Sequence, residues 1–249
     1  MITAGSDAVT IAERCRFVRS RIDAAARRAR RDPASVTLVA VTKSVEPAAI
    51  RHALAAGIRD FGESYVQEAI GKIPRVAEQW TEPDRPRWHL IGHLQRNKAA
   101  AAVPLFDLMH ALDSEELALR LDRIGAQHDR MVRALLQINV AGESTKSGVA
   151  VDAAAALIER VWPLRHLRVE GLMAIPPAPR DPEDSRPHFQ ALAALARALG
   201  ARGFDLVHLS MGMTADYEVA VEEGATLVRV GEAIFGPRPD RSQRARGAA

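Results

Sequence analysis

A regular alternation of strand-like and helix-like segments limits what this 249-residue chain can fold into more than any other feature. The segment VTLVAVTK at 36–43 is a continuous apolar run that ends in polar residues, as is typical of a buried parallel strand. The segment PAAIRHALAAG at 47–57 has the pattern of an amphipathic helix, with a proline near its start and a glycine at its end. Strands are predicted in the same way at 36–43, 58–63, 87–93, 105–113, 133–140, 167–175, 204–212 and 226–236. Helices are predicted between them at 47–57, 65–80, 95–102, 114–126, 151–162, 184–201 and 216–224.

This alternation predicts an α/β fold. Repeated strand–helix units form parallel sheets, and eight of them in about 200 residues fit a closed (β/α)₈ barrel, the TIM barrel. The alternative is a doubly wound open sheet, but the glycine fingerprint of a dinucleotide-binding fold is missing after the first strand, where the sequence is VTKSVEP. We expect an amphipathic helix within residues 1–32 that packs on the barrel, the barrel itself over 33–237, and a disordered basic tail over 238–249.

The distribution of charge argues against a nucleic-acid-binding protein. The net charge of +3 combines a basic segment 1–32 with a charge of +4, a basic tail 238–249 with +3, and a body between them with −4. A nucleic-acid groove requires Lys and Arg clustered on the folded body together with stacking aromatic residues, and only 4% of this chain is aromatic. We therefore expect no nucleic-acid partner, with binding through the Arg-rich ends as the alternative.

The sequence also predicts a cytoplasmic location. Cys15 is the only cysteine, so the chain cannot form an intrachain disulfide, and this favours a reducing compartment. The N-terminus lacks the basic flank and apolar run of a signal peptide. No apolar run approaches the roughly 20 residues that a transmembrane helix needs, so no membrane partner is expected.

Lysine is rare in this chain, and its rarity makes Lys43 informative. The 34 basic residues include only four lysines, namely Lys43, Lys72, Lys98 and Lys146. Lys43 ends the first predicted strand and has the same parity as Val41, so it should point into the mouth of the barrel. A desolvated lysine has a lowered pKa and can attack a carbonyl, which a guanidinium cannot do. The alternative is a surface lysine that pairs with a nearby glutamate.

Polar residues at the carboxyl ends of the predicted strands are the candidates for a functional site, because active sites of such barrels lie at that end. They are Lys43, Glu63, Ser64, His93, Asp113, Asn139, Ser210, Arg229 and Gly231.

The last two strands carry the features of a phosphate site. Such sites commonly use the loops after strands seven and eight of the barrel and the N-terminus of a short helix. Here those loops contain Ser210, Gly212 and Gly231, although both glycines are alternatively ordinary turn residues. A nucleophilic lysine that faces a phosphate site predicts a phosphorylated aldehyde or ketone held as a Schiff base.

Three further signals leave alternatives open. Arg229 lies inside the apolar run TLVRVG, where it either pairs with a carboxylate or contacts a ligand acceptor such as a ring nitrogen. His89 and His93 have the spacing of a helical zinc motif, but they lie on a predicted strand without the glutamate of that motif, so no metal site is predicted. The loop ESTKSG at 143–148 is either an anion contact or a flexible surface turn.

Seven segments in order resemble the pyridoxal 5′-phosphate homeostasis proteins, single-domain relatives of the alanine racemase barrel. The segments are LVAVTKSVEP, FGESYVQEA, WHLIGHLQRNK, INVAGESTKSG, GLMAI, LSMGMTADYEVAVEEG and TLVRVGEAIFG, and they span residues 38–236. Seven matches in the family order are far more specific than any single motif.

This resemblance implies a cofactor and its contacts. Pyridoxal 5′-phosphate (PLP) would be bound covalently to Lys43 as a Schiff base. The other cofactor-binding residues would be Ser64 near the ring hydroxyl, Arg229 facing the pyridine nitrogen, and Ser210, the backbone of Met211 and the turn at Gly231 and Glu232 around the phosphate. This chain departs from the family at Ser64, where asparagine is usual, so the shorter serine would act there through a water molecule.

The resemblance also implies a role in intracellular PLP homeostasis, as a carrier or buffer without dedicated catalysis. A guanidinium keeps its proton, so Arg229 would leave the ring nitrogen unprotonated and the cofactor a poor electron sink. Racemisation needs a second acid–base group. The racemases take it from a tyrosine of a second domain, whereas Tyr65 and Tyr217 fall at predicted helix starts.

Two enzymatic alternatives remain, a weakly active racemase-like enzyme and a Schiff-base aldolase. An aldolase would need a carboxylate or a second lysine near Lys43, for which Lys98 and Asp113 are the candidates. Because no second domain is predicted, we expect a monomer, with PLP-dependent apo-enzymes as its protein partners.

Overall fold

The structure of the chain, a computed structural model, describes residues 4–77, 85–143 and 147–237. The strands are β1 Thr37–Val41, β2 Asp60–Glu63, β3 Arg87–Leu90, β4 Leu108–Leu112, β5 Val132–Asn139, β6 Val149–Ala150, β7 Leu167–Met173, β8 His208–Ser210 and β9 Leu227–Val230. The helices are α1 Ala4–Arg28, α2 Pro47–Ala55, α3 Val66–Ala77, α4 Ala99–Ala102, α5 Glu115–Gln127, α6 Ala154–Val161, α7 Arg186–Gly200, α8 Tyr217–Glu222 and α9 Glu232–Phe235.

Eight of these strands form a closed parallel barrel. The strand order is β4-β3-β2-β1-β9-β8-β7-β5, and the pairing of β4 with β5 closes the ring. All of these pairings are parallel, for example Val39 beside Asp60 and Leu38 beside Val228. The predicted (β/α)₈ barrel is therefore confirmed, and the open sheet is excluded.

Alternation along the strands separates an inner core from an outer core. Alternate residues of a strand point to opposite faces of the sheet, so one set fills the barrel and the other meets the helices. The inner cluster consists of Val39, Leu108, Leu135, Met173 and Leu227. The outer cluster joins the other strand faces to the surrounding helices. The barrel is therefore a packed core whose functional space lies at its ends.

Helix α1 lies outside the barrel and packs against α2, α8 and α9. Val18 on its apolar face is fully buried. On its polar face, Arg21 pairs with Glu218 at 2.6 Å and Arg28 pairs with Glu222 at 2.8 Å, both across to α8. Exposed ion pairs of this kind contribute little to stability. They do show that part of the basic charge of the N-terminal segment faces acidic groups of the body.

The strands are shorter than the sequence pattern suggests. The predicted strand 204–212 contains only the three residues of β8, because the chain begins to pair with β7 only at His208. The two-residue strand β6 was not predicted, since so short a segment carries no period, and it pairs with the end of β5. The predicted tail 238–249 lies outside the described residues. Among the helices described, none has the length and apolar character needed to cross a bilayer.

Candidate functional site

A cavity of about 300 Å³ opens at the carboxyl end of the barrel. Its wall brings together five of the residues predicted from the sequence, namely Lys43, Ser64, Arg229, Gly231 and Glu232. The volume lies at the lower end of the range of small-molecule pockets, roughly 300–1,000 Å³. A neighbouring cavity of about 430 Å³ shares Lys43 and Ser64 with it. Lys43 therefore lies between two spaces that a ligand can enter.

Lys43 lies in a tight turn immediately after β1. The Thr42 N–H donates to the Gly62 carbonyl at 2.9 Å, and the Val45 N–H donates back to the Thr42 carbonyl at 2.9 Å. Ser44 has φ of 63°, a left-handed conformation that is uncommon for residues other than glycine. Such backbone strain persists only where neighbouring contacts enforce it.

A buried ammonium group holds the backbone on both sides of Lys43. Lys72 of α3 donates to the Thr42 carbonyl at 2.7 Å, to Glu63 Oε1 at 2.8 Å and to Glu68 Oε1 at 2.6 Å. Glu68 Oε1 in turn accepts the N–H of the strained Ser44 at 2.6 Å. The three protons of the Lys72 ammonium group are therefore engaged, and they tie the Lys43 turn to α3 and to the end of β2.

Glu63 is the central anion of this network. Its side chain is fully buried, and Oε1 also accepts the Thr42 hydroxyl at 2.6 Å. Burial raises the pKa of Glu63, and the hydrogen bonds from Lys72 and Thr42 oppose that rise. In the described part of the chain Glu63 Oε2 has no hydrogen-bond partner. The ionised carboxylate therefore depends on Lys72, since a buried charge without a partner is costly.

Ser64 reaches the cavity because the chain just after β3, at Gly92, comes unusually close to the residue just after β2. A Cβ added at Gly92 would collide with the Ser64 carbonyl oxygen and lie 2.9 Å from the Ser64 Cα. Only glycine allows this approach, and it positions the serine on the wall shared by the two cavities.

Replacing Gly92 with alanine is expected to displace Ser64 and to lower the free energy of unfolding by about 1–3 kcal/mol, because the clash is with backbone atoms that no rotamer change can relieve. Urea denaturation measures this change. Gly71→Ala in α3 is the matched control, since nothing lies within 4 Å of its added Cβ. That control should gain about 0.5–1 kcal/mol from helix propensity. Equal effects of the two substitutions would contradict the close approach.

Arg229 is a buried cation on the inner face of β9. Its Nη2 donates to the Ala174 carbonyl at 2.9 Å, and its Nη1 donates to the Ser210 hydroxyl. Burial lowers the pKa of Arg229 to about 10, so the guanidinium stays charged at neutral pH. Within the described residues it forms no ion pair with a carboxylate. The remaining N–H donors of the guanidinium are therefore the positive edge of the cavity.

Ser210 and Met211 do not line the cavity, in contrast to the expectation from the sequence. The Ser210 hydroxyl is buried between Arg229 Nη1 and His110 Nδ1, and the Met211 N–H donates to the Leu227 carbonyl at 3.1 Å. Strand β8 ends at Ser210, so both residues still belong to the barrel wall.

The residues next along the chain line the cavity instead. Thr214, in the loop after β8, is on the wall together with Gly231 and Glu232 at the start of α9. Gly212 has φ of 90° and an added Cβ would lie 2.5 Å from the Ala220 Cβ, so this glycine serves the packing of α8.

A chain of polar side chains runs through the inside of the barrel. His110 Nε2 lies 2.9 Å from His89 Nδ1, and His89 Nε2 lies 3.0 Å from Asp60 Oδ1. Burial opposes ionisation of Asp60, but hydrogen bonds from His89 and Arg87 prevail and lower its pKa. The sequence motif at His89 indicated only a possible metal ligand, and no motif indicated His110 or Asp60. The sequence signal that could have revealed them is that β2, β3 and β4 each carry a polar residue at a position that faces into the barrel.

Lowering the pH below 6.5 is expected to destabilise the protein through His110. Burial, reinforced by His89 and Arg229, lowers the pKa of His110 well below 6.5. The unfolded chain then binds a proton that the folded chain does not, so the free energy of unfolding decreases as the pH is lowered. His110 contributes a slope approaching about 1.4 kcal/mol per pH unit to this decrease. Urea unfolding at a series of pH values measures the slope. His110→Gln should remove most of the His110 contribution, leaving that of His208, whose pKa burial also lowers. An unchanged slope would contradict a neutral His110.

The other sequence candidates lie away from the cavity that contains Arg229. Asn139 donates to the Glu143 carbonyl at 2.8 Å, and His93 at the barrel mouth pairs with Asp113 at 3.2 Å. No cluster of three or more metal-ligating side chains occurs in the described ranges. Residues 144–146 of the loop ESTKSG lie outside them.

Neither tyrosine lines the cavity that contains Arg229. Tyr65 is half exposed and lines the neighbouring cavity, whereas Tyr217 begins α8 and is buried. In the described part of the chain no tyrosine is therefore placed across that cavity from Lys43.

The chain belongs to the class of alanine racemase N-terminal-domain barrels. Residues 17–239 match the family model described as "Alanine racemase, N-terminal domain". The alanine racemase of Corynebacterium glutamicum has the same fold, with a TM-score of 0.69 at 15% identity over 93% of this chain and 62% of that chain.

Within that class, the chain belongs to the family of pyridoxal phosphate homeostasis proteins. It is 44% identical to the member from Pseudomonas aeruginosa over 231 residues, which cover 92% of this chain and 96% of the relative. It is 38% identical to the member from Escherichia coli K12 over 228 residues, which cover 92% and 97%. Its fold matches PipY of Synechococcus elongatus, solved with PLP bound, with a TM-score of 0.79 at 39% identity over 91% of this chain and all of PipY.

Proposed function

We propose that this protein binds PLP through a Schiff base to Lys43 and serves PLP homeostasis as a carrier or buffer without dedicated catalysis. The observation that carries the proposal is the cavity whose wall contains both Lys43 and the buried cation Arg229. The relative PipY, whose fold covers 91% of this chain, has a structure with PLP bound.

The chemistry of the cavity wall fits the functional groups of PLP. Lys43 offers the primary amine that an aldehyde requires. Thr214 and the turn at Gly231 and Glu232 offer donors to a phosphate. Arg229 offers N–H donors to the ring nitrogen, and Ser64 offers a hydroxyl to the ring substituents. Ser210 and Met211, whose donors are engaged elsewhere, have no direct phosphate contact in this proposal.

Two features support a role without dedicated catalysis. Bound PLP would supply an electron sink whose strength depends on protonation of the ring nitrogen, and Arg229, which keeps its proton, would leave that nitrogen neutral. Racemisation also needs an acid–base group on each face of the substrate carbon. Lys43 can serve one face, and neither tyrosine lines the cavity that contains Arg229. The alternative of a weak racemase-like activity is tested by deuterium exchange at the α-carbon of a panel of amino acids.

Titration of the cofactor-free protein with PLP tests the proposal. We expect saturable uptake of one PLP per chain and a visible absorption band that is absent from free PLP. Pyridoxine 5′-phosphate, which lacks the aldehyde, is the matched ligand, and it should compete for the site without producing the band. Absence of both uptake and band in wild-type protein supplied with PLP would refute the proposal.

We also propose a location, an oligomeric state and partners: the protein is a cytoplasmic monomer that exchanges PLP with PLP-dependent apo-enzymes. Light scattering of the loaded protein measures the oligomeric state. Mixing the loaded protein with a PLP-dependent apo-enzyme, with and without an excess of a PLP-trapping amine, distinguishes direct transfer from release into solution.

A further inference from the structure

An unbroken series of buried hydrogen bonds joins the two ends of the barrel. Arg229 at the mouth donates to the Ser210 hydroxyl, and Ser210 Oγ lies 2.9 Å from His110 Nδ1. The series continues from His110 to His89 at 2.9 Å and from His89 to Asp60 at 3.0 Å. Each of these side chains is at least nine-tenths buried. Asp60 is the first residue of β2, so the series ends at the rim of the barrel opposite the cavity.

With His89 neutral, the hydrogen-bonding capacities of these groups allow only one direction. Arg229 can only donate and ionised Asp60 can only accept. Asp60 therefore accepts a hydrogen bond from the Nε2–H of His89, which leaves the His89 Nδ1 as an acceptor. His110 must then donate from Nε2 and accept at Nδ1. The Ser210 hydroxyl donates to that nitrogen and accepts from Arg229.

The two charged ends of the series are a buried cation and a buried anion. Within the described residues Arg229 donates hydrogen bonds only to neutral groups. The carboxylate of Asp216, buried on the same cavity wall, opposes the lowering of the Arg229 pKa by burial. Asp60 carries the negative charge that the series reaches, and it is fixed at the rim by two hydrogen bonds from Arg87, at 2.8 and 2.6 Å. Hydrogen bonds in a series polarise one another, so Ser210 and the two histidines link the opposite charges.

We propose that His110, His89 and Asp60 are positioning residues for Arg229, which they orient toward the cavity through a one-way series of hydrogen bonds across the barrel. The part of this inference that concerns PLP rests on the proposed function, because Arg229 is there the partner of the ring nitrogen. The orientation of Arg229 itself can be measured without any cofactor.

Two substitutions at position 110 separate positioning from packing. His110→Phe fills the space but leaves the Ser210 hydroxyl and His89 Nδ1 without partners. His110→Gln can accept from Ser210 through its carbonyl and donate to His89 through its amide, so it preserves the direction of the series. His128→Phe, at an exposed histidine on the surface of the protein, is the control for the change of residue type.

Nitrogen-15 NMR of the cofactor-free protein is the first measurement. We expect His89 and His110 both to be neutral with the proton on Nε2, and Arg229 to show separate Nη resonances because its rotation is restricted. His110→Phe should average the Arg229 resonances, whereas His110→Gln and His128→Phe should keep them separate. A proton on Nδ1 of His110, or Arg229 resonances unaffected by His110→Phe, would overturn the proposal. If His110→Phe does not fold, the histidine tautomers and the His110→Gln spectrum decide it.

PLP binding is the second measurement. The dissociation constant should rise about tenfold in His110→Phe, the size expected from leaving a buried polar group without a partner. It should change far less in His110→Gln and remain unchanged in His128→Phe. Equal weakening by phenylalanine and glutamine would overturn the positioning role. Failure of wild-type protein to bind PLP would refute the proposed function, and the Arg229 resonances would still decide the present inference.

Discussion

Replacing Lys43 with alanine is expected to abolish the visible absorption band of the PLP-loaded protein. The band requires an imine between the cofactor aldehyde and a primary amine. Among the residues that line the cavity containing Arg229 only Lys43 carries such an amine, whereas Lys98 lines the neighbouring cavity. The alanine variant should still bind PLP weakly through the remaining donors of the wall. Absorption spectra of wild-type and variant protein at equal PLP concentration make the comparison.

Two further variants sharpen this prediction. Lys43→Arg keeps the positive charge but cannot form the imine, so it should also lose the band. Lys98→Ala removes a lysine whose Nζ donates to Gln67 at 3.1 Å, and it should keep the band in full. A full band in Lys43→Ala, or its loss in Lys98→Ala, would be incompatible with Lys43 as the point of attachment.

Replacing Lys72 with methionine is expected to lower the free energy of unfolding by about 3–5 kcal/mol, the cost of breaking a buried ion pair by removing one partner. The methionine side chain would fill the space but leave buried Glu63 without its cation, and Glu63 Oε2 already lacks a partner in the described structure. The Thr42 carbonyl would also lose its donor. Typical domains are stable by only about 5–15 kcal/mol, so the loss is a large fraction of the total. Urea unfolding of cofactor-free protein measures it.

Lys98→Met is the matched control, because it makes the same change at a partly exposed lysine, and it should alter stability by no more than about 0.5 kcal/mol. Adding Glu63→Gln to Lys72→Met removes the uncompensated charge and should restore part of the loss. If Lys72→Met proved as mild as Lys98→Met, the network around the Lys43 turn would not hold it in place.

The barrel could be predicted from the sequence because its signal is local and repeated. Each strand–helix unit carries its own hydrophobic period, and the absence of a dinucleotide fingerprint after the first strand favoured closure over an open sheet. The location of Lys43 followed from the same local information, since strand parity and the end of an apolar run are visible in the segment 36–43. Both outcomes depend on residues that are close together in the chain.

The hydroxyl groups that line the cavity were harder to predict, because their positions depend on where β8 ends. The run FDLVHLSMG suggested a strand to residue 212, with Ser210 near its open end. Only three residues pair as a strand, Ser210 points inward to Arg229, and Thr214 in the following loop reaches the cavity. A difference of a few residues in a strand boundary therefore changes which hydroxyl lies on the cavity wall.

Contacts between distant parts of the chain could not be read from local patterns. His110 and Ser210 are 100 residues apart, and nothing in either segment indicates the other. The rarity of lysine drew attention to Lys43, and it applies equally to Lys72, whose burial in α3 came to light only in the structure. Both lysines belong to the same local structure: Lys43 lies in the turn after β1, and Lys72 donates a hydrogen bond to the Thr42 carbonyl of that turn.

Borohydride reduction of wild-type protein supplied with PLP, followed by peptide mapping, tests the central claim most directly. Reduction makes an imine permanent, so the mass of one pyridoxyl phosphate group should appear on the peptide that contains Lys43. The peptides that contain Lys72, Lys98 and Lys146 should remain unmodified. Label distributed over several lysines, or absent from the Lys43 peptide while PLP is bound, would contradict the account.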